Sequence, residues 1–163
     1  MSQIRFIVNG SPIGNQRAAD GKHGKYLPAK SRKYQENIAW NFRKALGGAV
    51  KPTGKPIEVS VLAFYPVPKS WPVWKQEAAL AGDIVPTVKP DVDNIEKAIY
   101  DGLNEVAYHD DAQIVNVNGF IKRYSRQPRV EITIGVMDLM PASCTKTEYD
   151  AWCRKIKHVD MLV

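Results

Sequence analysis

Residues that can do chemistry crowd into one acidic segment. Positions 89–104 read Lys-Pro-Asp-Val-Asp-Asn-Ile-Glu-Lys-Ala-Ile-Tyr-Asp-Gly-Leu-Asn, and positions 108–114 read Tyr-His-Asp-Asp-Ala-Gln-Ile. From 91 to 111 there are seven acids and one base, Lys97. Asp93, Lys97, Asp101 and Glu105 recur every fourth residue, so they share a helix face and read as surface ion pairs worth ~0.3–0.5 kcal/mol each. That leaves Asp91, ahead of the helix, and Asp110-Asp111, ahead of the next strand, unexplained. Carboxylates delivered from a helix entry and a strand start can converge. Left bare, such a cluster raises its own pKa values and costs stability. Mg²⁺ relieves the repulsion, because it takes a few carboxylates and several waters and leaves room for substrate phosphates. Two such ions ~4 Å apart activate water and stabilise the leaving oxygen of a phosphodiester. An EF-hand loop is excluded, since its fifth and sixth positions would be Ile95 and Glu96 instead of an acid or amide and a glycine. A dehalogenase-type phosphatase places Asp-x-Asp after an apolar strand, whereas Lys89-Pro90 precede it here. The chain, at 163 residues, is short for the usual nucleotide-sugar transferase. On residue chemistry alone two readings stand: a divalent-cation site, or helix capping with a charged surface.

Periodicity names the elements that must hold these groups. Ile95, Ala98, Ile99, Gly102, Leu103 and Val106 form one apolar stripe, so 93–105 is a helix, with Asp93 as expected N-cap and Glu96 as its capping-box partner. Residues 114–124 and 129–137 read as strands joined by Ser125-Arg126-Gln127-Pro128 in an expected hairpin. Residues 4–8 form a strand, and 10–30 a long loop rich in glycine, proline and basic side chains. A helix follows over 31–46, capped by Ser31, with Tyr34, Ile38, Phe42 and Ala45 on one face. The clearest strand is 57–65. A second helix covers 70–81 with Ser70 as cap, and a weak helical pattern spans 147–156. This order predicts an α+β fold, a single domain with a mixed β-sheet and helices packed on it, over 1–140. Residues 141–163 form a C-terminal extension.

Composition narrows the class. Hydrophobic residues make up 44% and charged residues 25% of the chain, which excludes a disordered or fibrous protein. No apolar run reaches the ~18 residues of a membrane span, and the N-terminus carries no signal-peptide pattern, so a cytoplasmic protein with no membrane association is expected. Cys144, Cys153 and His158 lack a fourth ligand for zinc and read as incidental. The formal charge is +6, and residues 1–55 alone hold 11 bases against two acids. A basic body suits a polyanion. Arg17, Lys22, Lys25, Lys30, Arg32 and Lys33 are placed to grip phosphates, and His23 and Tyr26 to stack on unpaired bases. Lys122, Arg123, Arg126 and Arg129 form a second phosphate patch. Trp71 and Trp74 read as core or dimer contacts, and His109 as a turn residue.

The stretch from Asp91-Val-Asp93-Asn94 through Lys97 and Asp101 to Asp110-Asp111-Ala-Gln113-Ile114 resembles the RusA family of Holliday junction resolvases. Each of those family positions is matched over 91–114, and the likeness runs more loosely over 4–46 and 57–65. In the basic loop this chain reads Gly14-Asn15-Gln16-Arg17-Ala18, where many members carry a denser basic run. The resemblance implies a RusA-like fold and a symmetric homodimer that nicks four-way DNA junctions in recombination and repair. It implies Mg²⁺, with Mn²⁺ as a substitute, held by Asp91, Asp93 and Asp111, with Asp110 ranked second. Lys97 would stabilise charge on the scissile phosphate, with Asn94 and Asp101 in support. Arg17, Lys30, Arg32 and Lys89 would contact DNA. The competing readings are a non-catalytic branched-DNA-binding module that keeps the fold, and a Mg²⁺ phosphatase acting on small substrates.

Overall fold

The fold is built around one strand. The computed structural model describes residues 2–16, 19–21 and 24–160. The elements are β1 (Ser2–Asn9), β2 (Ala19–Gly21), β3 (Gly24–Tyr26), α1 (Ala29–Ala45), β4 (Ile57–Pro66), α2 (Val73–Ala81), α3 (Val92–Leu103), β5 (Ile114–Ser125), β6 (Arg129–Val136) and α4 (Lys146–Asp160). Alternate β4 residues Ile57, Val59, Val61, Ala63 and Tyr65 are buried, as the alternation in 57–65 requires. The sheet order is β1-β6-β4-β5. β1 and β4 are antiparallel to β6, and β5 is parallel to β4. The sheet is therefore mixed, as expected.

The expected hairpin between the last two strands does not form. β4 lies between β5 and β6, pairing Val61 with Phe120 on one side and with Ile132 on the other. The link is short but long enough. From Ser125 to Arg129 the chain can extend ~13 Å, and crossing one strand needs ~9.6 Å. The loop read over 10–30 also contains structure, the two-stranded ribbon β2–β3.

Helices α1 and α3 cover one face of the sheet. Phe42 meets Phe6 edge to face at 5.6 Å, and Tyr34 and Ile38 are buried beside it, whereas Ala45 is exposed. The two helices touch closely at Gly102, where an added Cβ would lie 3.1 Å from the Gln35 carbonyl oxygen and 3.3 Å from Ile38 Cβ. The expected caps shift. α1 starts at Ala29, and Ser31 is buried, its hydroxyl accepting from the Gln16 amide at 3.2 Å. α2 starts after Pro72 and not at Ser70. Proline at a helix start has no N–H to lose and a preset φ. On the open face the buried Glu131 is held by Arg5 and by Arg129 Nε at 2.7 Å. The tail helix α4 opens with a Thr145/Glu148 capping box and is tied to Asp138 by Trp152 and Lys155.

Candidate functional site

The Asp-x-Asp pair sits where β4 and the sheet present the start of α3. Helix α3 begins at Val92, so Asp91, not Asp93, occupies the N-cap position, and its side chain makes no cap bond. Its carboxylate instead accepts hydrogen bonds from Lys89 Nζ and Asn94 Nδ2. Those bonds, Lys89 first, pull the Asp91 carboxyl down to about 2. Asp91 is thus ionised across the physiological range. Its approach is anchored from beneath: the Pro90 carbonyl accepts from Tyr65 OH at 2.7 Å and from Lys122 Nζ at 3.1 Å, after a cis Lys89–Pro90 bond. Burial, reinforced by the Asp91 charge, pushes the Tyr65 phenol up to about 12, so it remains a donor. Asp93 lies in the first turn of α3 and is exposed.

Lys97 follows Asp93 by one turn and joins the two halves of the segment. Its Nζ lies 2.9 Å from Asp101 Oδ1 and 3.5 Å from Asp111 Oδ2. The hydrogen bond to Asp101, and then the charges of Asp101 and Asp111, raise its pKa and keep it protonated. Asp101 is in turn oriented by Asn15, whose Nδ2 donates to Asp101 Oδ2 at 2.8 Å, while the Asn15 amide donates to the Asn94 carbonyl at 2.8 Å. A polar chain therefore runs Lys89–Asp91–Asn94–Asn15–Asp101–Lys97–Asp111. Gly14 makes it possible: an added Cβ there would lie 2.9 Å from Pro90 Cβ and 3.0 Å from Asn94 Cβ.

Asp111 is delivered by a short 3-10 turn (Asp111–Gln113) ahead of β5. Gln113 clamps that turn. Its Oε1 accepts from the amides of His109 and Asp110 at 3.0 and 3.1 Å, and its Nε2 donates to the carbonyls of Thr53 and Lys55 at 2.8 and 3.0 Å. Asp110 caps the turn, accepting from the Ala112 amide at 2.8 Å, so its carboxylate is used locally. His109 is an exposed turn residue 3.3 Å from Glu105, which has a positive φ of 55°.

Asp91, Lys30, Lys89, Asn94 and Asn15 line one open cleft of about 310 Å³. Among the described residues no three His, Cys, Asp or Glu side chains are gathered closely enough to cage an ion. Asp91 and Asp111 rest on lysines instead, as uncompensated carboxylates would repel. The donor chemistry nevertheless fits a hard divalent cation. The cleft offers carboxylate and amide oxygens with no Cys or His among its lining, and Asn15 Oδ1 is buried there without a partner.

The basic residues separate by position. Lys30 and Lys89 line the cleft with Asp91, Arg32 is exposed on α1 outside that lining, and Arg17, Lys22 and His23 lie outside the described residues. The second phosphate patch is largely spent on structure. Lys122 donates to the Val88 and Pro90 carbonyls, Arg123 to the Gly82 carbonyl at 3.2 Å, and Arg129 holds Glu131 and covers Phe64. Trp71 packs edge to face on Tyr124 at 5.3 Å, while Trp74 is exposed. Sequence reasoning gave no role to Asn15, and to Gln113 only a place in the family motif; their partners lie 86 and 60 residues away, and an Asn or Gln in a loop carries no signal for such a bond.

The family model described as Endodeoxyribonuclease RusA matches residues 9–135, most of the chain and all of the site. The chain belongs to the RusA endodeoxyribonuclease family. The chain is also 36% identical over 140 residues to Bacillus subtilis (strain 168) "Uncharacterized protein YqaN", covering 82% of this chain and 96% of that one. Family membership makes this an α+β RusA-like domain of an endodeoxyribonuclease family. Among the described residues no helix is long and apolar enough to cross a membrane. Helix α4 lies beyond the matched span.

Proposed function

We propose that this RusA-family chain is a divalent-metal-dependent endonuclease that cuts four-way DNA junctions by symmetric phosphodiester hydrolysis, in recombination and repair in the cytoplasm. The observation that carries this reading is Lys97, held between Asp101 and Asp111 one turn beyond Asp93, on the helix whose N-cap residue Asp91 lines a cleft with Lys30 and Lys89. Asp91, Asp93 and Asp111 would hold Mg²⁺, or Mn²⁺ in its place, and Asp110 would remain the cap of its turn. When bound, the ion supplies Lewis-acid stabilisation of the phosphoryl oxygens. The chain's own residues do the rest. Lys97, protonated and aimed by the Asn15–Asp101 bond, neutralises charge developing on the scissile phosphate. Lys30 and Lys89, which line the cleft, hold backbone phosphates without reading bases, and Arg32 and Arg17 share that role on the strength of the sequence. Lys89 also neutralises Asp91 until a cation takes its place. Two symmetric nicks require two-fold protein symmetry, so the active species is a homodimer. Residues 1–140 form the nuclease domain and 141–163 an extension to it.

The test uses a labelled synthetic junction with wild type and Asp91→Asn, with and without Mg²⁺. Paired symmetric nicks that need both Mg²⁺ and Asp91 support the reading. Cleavage by Asp91→Asn at the wild-type rate removes the site. Tight binding without nicks favours a non-catalytic branched-DNA-binding module, which the sparse basic loop at Gly14-Asn15-Gln16-Arg17-Ala18 would suit.

A further inference from the structure

Helix α1 carries a second feature that the cleft does not use. Lys30, Lys33, Asn37, Trp40 and Lys44 follow one another at steps of three and four residues, so they form one stripe that runs alongside the buried face of Tyr34, Ile38 and Phe42. All five are exposed. The helix holds five bases and one acid, Glu36, which lies on the flank of the stripe four residues before Trp40. Among the described residues Lys30, Lys33, Arg43 and Lys44 take part in no ion pair, whereas Lys89, Lys97, Lys146 and Lys155 do. Cations left without a partner along one line are suited to an external polyanion.

The stripe is also a string of hollows that begins in the cleft. Lys30 lines both the cleft beside Asp91 and a second hollow of about 400 Å³, which continues past Lys33 to Asn37 and is walled by Asn9 to Ile13. One helical turn further, Trp40, Arg43, Lys44, Gly47, Gly48 and Ala49 line a third hollow of about 450 Å³ that lies wide open to solvent. Neither the second nor the third hollow has an acid in its lining. Trp40 is 57% exposed, an unusual state for a side chain of its size, and Lys44 Nζ lies 5.0 Å from its ring centre. The glycine pair leaves the floor of this hollow open. An aromatic wall, two cations and a floor without side chains match what one nucleotide offers: a flat base and a phosphate.

We propose that the outer face of α1 is the track for one strand of the bound DNA, and that it ends with a base stacked on Trp40 and its phosphate between Arg43 and Lys44. This rests on the nuclease reading and adds to it where the strand goes beyond the cleft. From Lys30 to Trp40 the helix rises ~15 Å, which corresponds to about four nucleotide steps of a stacked strand at ~3.4 Å each. A junction suits such a track, because bases near its branch point can leave their stack at small cost.

The test places 5-iododeoxyuridine at successive positions along one junction arm, irradiates the complex with the full-length protein and maps the cross-linked residue. The expected result is a cross-link to Trp40 from a position about four nucleotides from the cleft-bound phosphate. Trp40→Ala should lose it and bind the junction about tenfold more weakly. Trp40→Phe should restore most of the affinity, and Trp74→Ala, an equally exposed tryptophan on α2, should change nothing. Replacing Lys33 and Lys44 by alanine should lower the salt dependence of binding by about one counterion per lost phosphate contact. Unchanged affinity in Trp40→Ala with no cross-link on α1 overturns the track, whether or not the protein nicks. Trp40→Ala that dissociates the dimer on size exclusion, again with no cross-link, overturns it too and makes this face a protein interface. Loss of nicking in Asp91→Asn, with the Trp40 cross-link intact, separates failure of the track from failure of the metal site.

Discussion

Replacing Gly14 by alanine probes the contact that docks the N-terminal loop on the Asp-x-Asp turn. The new Cβ would stand 2.9 Å from Pro90 Cβ and 3.0 Å from Asn94 Cβ, where carbon atoms prefer 3.5–4.0 Å. Neither neighbour yields cheaply. Pro90 is a ring whose carbonyl is held by Tyr65 and Lys122, and Asn94 is in the first turn of α3. Overpacking of this kind costs roughly 1–3 kcal/mol, offset by ~0.4–1 kcal/mol from the stiffer unfolded chain. A net loss of about 1–2 kcal/mol corresponds to a fall in Tm of about 2–8 °C at this chain length. Gly54 is the control, since its added Cβ meets nothing within 4 Å and its φ is not left-handed. Gly54→Ala should therefore gain the ~0.4–1 kcal/mol of chain entropy alone. Thermal unfolding of both variants, followed by circular dichroism, measures the difference. The Gly14→Ala protein should also nick more slowly, because relieving the clash pulls the Asn15 amide from the Asn94 carbonyl and lets Asp101 swing. If Gly14→Ala melts at or above Gly54→Ala, the close approach of loop and turn is wrong and the argument for Asn15 as a positioning residue goes with it.

Gln113→Leu removes four hydrogen bonds at the clamp beneath Asp111 and leaves the Thr53 and Lys55 carbonyls without that donor. We expect a loss of ~1–3 kcal/mol in urea unfolding, and a smaller rise in Tm on adding Mg²⁺ than wild type shows; an unchanged Mg²⁺ response would detach Asp111 from the cation. Glu131 gives a pH signature. Burial alone would raise its carboxyl, but hydrogen bonds from Arg5 and Arg129 outweigh it and hold the group below its ordinary range. Its contribution is present above the unfolded pKa of ~4.3 and disappears as pH falls through the lower folded value. Wild type should lose more stability than Glu131→Gln between pH 5 and the acid limit of about 2, and parallel curves would refute the linkage.

Much of the site was legible along the chain because its chemistry is local. The stripe Ile95, Ala98, Ile99, Gly102, Leu103 obliges 92–103 to be a helix with one buried face. Given that helix, Lys97 must sit one turn from both Asp93 and Asp101, and the second of these pairs is an ion pair. The alternation of β4 likewise reads directly, because side chains in a strand point to opposite faces in turn. Cap positions were less legible. Proline at 28 and at 72 starts a helix as well as a serine nearby, and which one prevails depends on what else the serine can reach, as Ser31 reaches Gln16.

What the chain pattern leaves open is pairing between distant segments. Periodicity marks 114–125 and 129–136 as strands but is silent on whether they pair with each other or straddle a third. Burial decided it. β4, buried at every second residue and apolar from Val61 to Tyr65, takes an inner position, while the more polar β5 accepts the edge. That choice sets where Asp111 emerges, at the start of an edge strand parallel to β4 and within reach of Lys97. The contacts that aim the site, Asn15 to Asp101 and Gln113 to Thr53, span 86 and 60 residues. Each has at least one end in a loop with no periodicity of its own, Asn15 in the first case and Thr53 in the second, so each exists only because the packed helices and sheet bring that loop to its partner.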